Sequence, residues 1–258
     1  ALNGVAYDIF TPARTATILN DDGRPPVIPP GVEADVFGDP HIVTLDGLGY
    51  DFQATGEYIL VETLDGATNP FQVQVRFEPL PGSDLVSTTT RMAVQIGDAT
   101  LEIDALGANP LLITDANGNT RTPTAAELAV GAADINGDGF NDVFFDAGLS
   151  EFFIALNDLG LDADGNTQAE QLMVKNMDGT LNVCVFLSDL PGGNQGNVRG
   201  LMGDADGTGD TSDDLALREG TVVPVGTGLV DINGDPIPEG TALTSDVALP
   251  QPVDFSTL

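Results

Sequence analysis

The chain has 258 residues, with eight Lys plus Arg against forty Asp plus Glu and a formal charge of -32. Such an acidic surface repels nucleic-acid phosphates and anionic membrane faces, and no apolar run reaches the length of a membrane-spanning helix. A single cysteine, Cys184, and a single histidine, His41, exclude an intramolecular disulfide, thiolate clusters and histidine-based metal sites, which leaves oxygen ligands for any cation that offsets the charge.

Residues 1–34 are read as a Pro-rich arm or linker, because TPARTATILNDDGRPPVIPPGVEA at 11–34 carries five prolines and little periodicity. A β domain is placed at 35–219. HIVTLDGLGYDF, EYILVETL, FQVQVRFEPL, RMAVQIGDATLEIDAL and LMVKNMDGTLNVCVFL alternate or run apolar at strand length, and GD at 97–98 and DG at 178–179 read as hairpin turns. One short helix is expected at 122–130, where Thr124 and Glu127 have capping-box spacing and Pro123 can occupy the first turn. A second short helix is expected at SDDLALRE. Residues 220–258 are read as a C-terminal tail with one or two possible strands.

An Asp/Asn/Gly element recurs as DANGN at 115, DINGDG at 134, DADGN at 162, DADGTGD at 204 and DINGD at 231. Clusters of this kind are ordinary turn formers, but two carry more. In DINGDGFNDV, Asp134, Asn136 and Asp138 fall at alternate positions, Gly139 permits a sharp bend, the Phe140 carbonyl stands seventh and Asp142 ninth. Oxygens so spaced converge on one point and suit calcium, which takes ~6–8 hard oxygen ligands. An EF-hand needs Glu at the twelfth position, where this chain has Phe145. The loop resembles the calcium loops of FG-GAP and integrin-propeller blades, without the repetition that a propeller requires; the alternative is a solvated acidic turn. The second segment, GDADGTGDTSDDL at 203–215, crowds Asp204, Asp206, Asp210, Asp213 and Asp214 together, which is strongly repulsive without a cation. Its alternative is a disordered acidic loop.

Gly38-Asp39-Pro40-His41, Thr44-Leu45-Asp46-Gly47, Tyr50-Asp51-Phe52 and Gly56-Glu57-Tyr58-Ile59-Leu60, with RGLMGDADGTGDTSDDL later in the chain, resemble the opening and closing motifs of the von Willebrand factor type D family. The resemblance spans about residues 35–219 and implies a mainly β, antiparallel sandwich of that type with inserted calcium loops. It also implies calcium held by Asp46, Asp206, Asp210, Asp213 and Asp214, with Asp204 at the position of the family's Asn, so that one ion joins the first strands to the closing segment. Gly56 and Met202 stand where the family has cysteines, and Cys184 has no partner in the chain, so disulfide-linked multimers are not expected.

Some members of that family with Gly-Asp-Pro-His cut themselves at the Asp-Pro bond; others stay intact, and for His41 the structural role is expected over a catalytic set of Asp39, Pro40 and His41. No Gly-x-Ser-x-Gly elbow or phosphate-binding glycine loop is present. The sequence thus points to a non-enzymatic, secreted, calcium-binding structural or adhesive module of a bacterial surface, extracellular matrix or filament, without membrane insertion. Its terminal segments could add strands to identical subunits. A self-processing protein and a calcium-dependent glycan-binding module are the alternatives.

Overall fold

Where apolar and polar residues alternate, the chain forms strands. The computed structural model describes residues 31–207, apart from 54, 65, 68–69, 83–85, 162–166 and 189–192. The SDDLALRE segment, the tail at 220–258 and the arm up to residue 30 lie outside the described residues. In chain order the elements are β1 (Gly31–Phe37), β2 (His41–Val43), β3 (Gly49–Asp51), β4 (Gly56–Thr63), β5 (Phe71–Pro79), β6 (Ser87–Ile96), β7 (Ala99–Asp104), β8 (Leu111–Thr114), β9 (Thr120–Arg121), α1 (Ala125–Val130), β10 (Ala132–Ala133), β11 (Val143–Phe145), β12 (Glu151–Leu161), β13 (Thr167–Met177), β14 (Thr180–Ser188) and β15 (Val198–Arg199).

The strands form two antiparallel sheets, one ordered β10-β11-β12-β13-β14-β1-β2-β3 and the other β15-β4-β5-β6-β7-β8-β9. Their inner faces share one core. Phe71, Val73, Val75 and Phe77 of β5 and Ala99, Leu101 and Ile103 of β7 meet Leu181, Val183, Val185 and Leu187 of β14 in that core. Period two puts every second side chain on the same face, so these runs enter the core together. Polar rivets also join the layers: the Thr88 and Thr180 hydroxyls lie 2.7 Å apart, and Asn176 Nδ2 donates to the Ala105 carbonyl at 2.9 Å. The outermost strands β10, β3, β15 and β9 have only two or three residues each, which limits the exposed edge available for unwanted pairing.

Both expected hairpins form, with Ile96 opposite Ala99 and Met177 opposite Thr180. The helix forms too, with the reciprocal Thr124–Glu127 capping box, but Pro123 precedes the cap instead of sitting in the first turn. Two expectations change. The first described strand, Gly31–Phe37, overlaps the stretch read as arm, because the alternation Val32, Ala34, Val36 feeds the core. HIVTLDGLGYDF is not one strand. It folds as β2 and β3 around a turn in which Thr44 N donates to the Leu48 carbonyl at 2.8 Å and Leu48 N to Thr44 Oγ1 at 3.0 Å. Among the described residues no helix is long and apolar enough to cross a membrane.

Candidate metal centre

The site is built where the chain after β15 passes between the sheets. Arg199 Nε donates to Oε1 of the buried Glu62 at 2.6 Å, fixing β15 against β4. Gly200 follows at φ 143°, and a Cβ there would lie 2.4 Å from the Leu60 carbonyl oxygen, so only glycine allows the close approach. Leu201 N and Met202 N then donate to the Ile59 and Leu60 carbonyls at 3.1 and 3.0 Å, while Leu45 N donates to the Met202 carbonyl at 2.8 Å. The Tyr50 hydroxyl donates to the Leu201 carbonyl. Residues 201–202 are therefore bonded both to β4 of one sheet and to the β2–β3 turn of the other.

Beyond that crossing, Ala205 adopts φ 61°, left-handed backbone that is uncommon for any residue with a Cβ. Around this bend Asp204 and Asp206 meet Asp46 of the β2–β3 turn. One carboxylate oxygen from each lies within 4.8 Å of the others, the only such group of three or more acidic, histidine or cysteine side chains among the described residues. Asp46 Oδ1 accepts from Gly207 N at 2.8 Å, and Asp204 Oδ1 from Asp206 N at 3.2 Å. Asp46 Oδ2 is buried and has no hydrogen-bond partner. A buried carboxylate oxygen left unpaired beside two other acids is costly in both desolvation and repulsion, and a hard divalent cation removes both costs. The donor set fits calcium, which accepts carboxylate oxygens in irregular geometry. Asp210, Asp213 and Asp214 lie outside the described residues.

The 134–142 loop is organised differently. Asp134 takes Gly137 N on Oδ1 at 2.6 Å and Gly139 N on Oδ2 at 2.9 Å; Asn136 Oδ1 takes Asp138 N at 2.9 Å, and Asp138 Oδ1 takes Phe140 N at 2.8 Å. Asp142 Oδ2 accepts from Ile135 N at 2.7 Å, and its Oδ1 accepts Asn136 Nδ2 at 3.1 Å. The loop closes on itself through successive side chain-to-backbone turns. Phe140 projects its ring into solvent. Burial pushes the Asp142 carboxyl above its ordinary pKa against the pull of the Ile135 and Asn136 amides, and the charges of Asp138 and Asp134 push it further.

His41 stands between two carboxylates. Its Nδ1 lies 2.5 Å from Asp51 Oδ1 and its Nε2 3.0 Å from Asp39 Oδ1. The hydrogen bond to Asp51 is the main reason its pKa is raised; burial opposes this, and Asp39 adds to it. Asp51 is the partner that spacing alone missed, visible only once His41 and Asp51 are paired across β2 and β3. The preceding turn is pinned by Gly38 N to Asn182 Oδ1 at 3.1 Å and by Phe52 N to the Pro40 carbonyl at 2.8 Å.

Residues 34–126 match the model of the von Willebrand factor type D domain. The chain is 54% identical over 52 residues to Protein mesh of Bombyx mori, 39% over 80 residues to human Sushi domain-containing protein 2 and 41% over 76 residues to human IgGFc-binding protein. These matches take in 20%, 30% and 28% of this chain but only 3%, 9% and 1% of those proteins. The matched family region contains Asp46 and the His41 turn, and it ends before both the 134–142 loop and the closing segment.

Proposed function

We propose that this chain is a calcium-stabilised structural or adhesive module of an extracellular protein, at a cell surface, in a matrix or in a filament. The supporting observation is the buried, unpartnered Asp46 Oδ2 brought against Asp204 and Asp206 from the far end of the domain. Calcium there ties the β2–β3 turn of one sheet to the segment bonded to β4 of the other. The resemblance carries Asp210, Asp213 and Asp214 to the same ion, completing a coordination number of the usual size. With a glycine and a methionine at two family cysteine positions and Cys184 alone, an ion takes the place of a covalent cross-link, as suits a bacterial surface protein. An extracellular location supplies the calcium, and it agrees with the likeness to the three relatives above. The DINGDGFNDV loop is the second calcium position; there an ion must first displace the loop's own hydrogen bonds, so it binds more weakly.

Thermal unfolding in calcium and in chelator tests this reading. A ligand held at ~100 times its Kd adds ~2.7 kcal/mol to the folded state, and a melting temperature unchanged by chelator would remove the proposal.

One observation supports a second reading, scission of the Asp39–Pro40 bond: His41 Nε2 sits 3.0 Å from the Asp39 carboxylate. An Asp39 carboxylate oxygen would attack its own carbonyl carbon, closing a cyclic anhydride. The bond to Pro40 nitrogen breaks as that nitrogen takes a proton from imidazolium, and water opens the anhydride. Mass determination after incubation at mildly acidic pH reads this directly, through a new N-terminus at Pro40.

A further inference from the structure

We infer that Glu170, a residue outside the acidic cluster, is the positioning residue that sets how tightly the Asp46–Asp204–Asp206 site holds its ion. The inference rests on the calcium reading above. Glu170 lies on β13, in the middle of the larger sheet, and is fully buried. Its carboxylate takes Asn194 at two points: Oε1 accepts Asn194 N at 2.6 Å and Oε2 accepts Asn194 Nδ2 at 2.6 Å. Asn194 is itself buried and opens a turn closed by Asn197 N on the Asn194 carbonyl at 2.9 Å. From within that turn Gly196 N donates to the Asp204 carbonyl at 3.2 Å, and Asn197 carries the turn onward by accepting Leu64 N at 2.8 Å.

The path is short and physical. A charge-assisted, two-point clamp on Asn194 fixes the 194–197 turn, and the turn fixes the main chain of Asp204. Met202, two residues earlier, is held by β4 and by Leu45, so Asp204 hangs between two anchors. Hydrogen bonds to buried charged groups are stronger than neutral ones, and the residues that orient a metal's ligands typically change affinity ~10–100-fold when replaced. Linkage makes the effect reciprocal: whatever Glu170 contributes to ion affinity, the ion returns as stability of the 194–197 turn.

Glu170→Gln keeps the side chain's shape but turns an amide N–H against an Asn194 donor. Titration calorimetry with calcium chloride on the full chain should show binding weakened ~10-fold or more relative to the unsubstituted protein. Hydrogen exchange adds a readout that a merely structural role would not move: calcium should slow exchange at the Gly196 and Asn197 amides in the unsubstituted protein and much less in E170Q. Asn194→Ala removes one arm of the clamp, keeps the backbone donor and should give a smaller loss in the same direction. It decides the question if E170Q does not fold. Folded variants that bind calcium as tightly as the unsubstituted chain overturn the role of Glu170 and leave the calcium reading standing. An unsubstituted chain that takes up no calcium overturns both.

Discussion

The two aspartate-rich segments, 134–142 and 204–207, look alike as sequence and differ as structure. Asp134, Asn136, Asp138 and Asp142 spend their oxygens on amides within nine residues of chain. Asp204 and Asp206 are instead carried across the molecule to Asp46, whose Oδ2 is buried and finds no donor. Loop composition alone therefore does not separate the two segments as candidates for an ion. What separates them is one buried carboxylate oxygen, Asp46 Oδ2, that folding leaves without a donor, and an ion would gain most where hydrogen bonds have not already been made.

The contrast is broken most directly by Asp46→Asn. In calcium this variant should lose the ion-derived stability, ~3 kcal/mol under near-saturating conditions, read as a fall in melting temperature. In chelator it should be at least as stable as the unsubstituted protein, since a neutral amide eases the crowding with Asp204 and Asp206 while its oxygen still accepts Gly207 N. Equal losses in both conditions would show that Asp46 serves the fold alone. Asp134→Ala comes next. It strips acceptors from Gly137 N and Gly139 N at a cost of ~1–2 kcal/mol, most of it present in chelator as well as in calcium. A loss confined to calcium-loaded protein would reverse the ranking of the two segments.

Smaller effects sharpen the picture around them. His41 has a raised folded-state pKa, so the stability it contributes is complete below its unfolded value near 6.5 and fades as pH rises through the folded value. Because the group is well exposed, the amplitude should be no more than ~1 kcal/mol, and in His41→Gln the corresponding slope in denaturant midpoint against pH, above 6.5, should disappear. Ala205→Gly should have the least effect, a gain of ~0.5 kcal/mol or less, as relief of the left-handed strain is partly offset by a freer unfolded chain. Its melting temperature should rise slightly in chelator and in calcium alike.

Apolar alternation made the segments that form β5, β7 and β14 readable in advance, the Gly-Asp and Asp-Gly dipeptides gave the two tight turns, and the Thr124–Glu127 spacing gave the capped helix. Other elements gave weaker signals. β12, EFFIALNDLGL, begins apolar on both faces, with Phe152 fully buried and Phe153 partly so, hence shows no clean period two. β10, β11 and β15 are too short for any pattern and exist because neighbouring strands pair with them. For the site, the motif resemblance named Asp46, Asp204 and Asp206 together, whereas spacing alone gave equal weight to the local loop. The Glu170 clamp was not legible: a lone glutamate in TQAEQLMVKNM has no local signature, and its partner Asn194 lies 24 residues away.

The central claim is that calcium bridges Asp46 to the closing segment, and crystals grown with calcium and measured for anomalous scattering test it most directly. The account expects a peak ~2.3–2.6 Å from Asp46 Oδ2 and in reach of Asp204 and Asp206. A peak seated only in the 134–142 loop, or none beside Asp46 at saturating calcium, would contradict it.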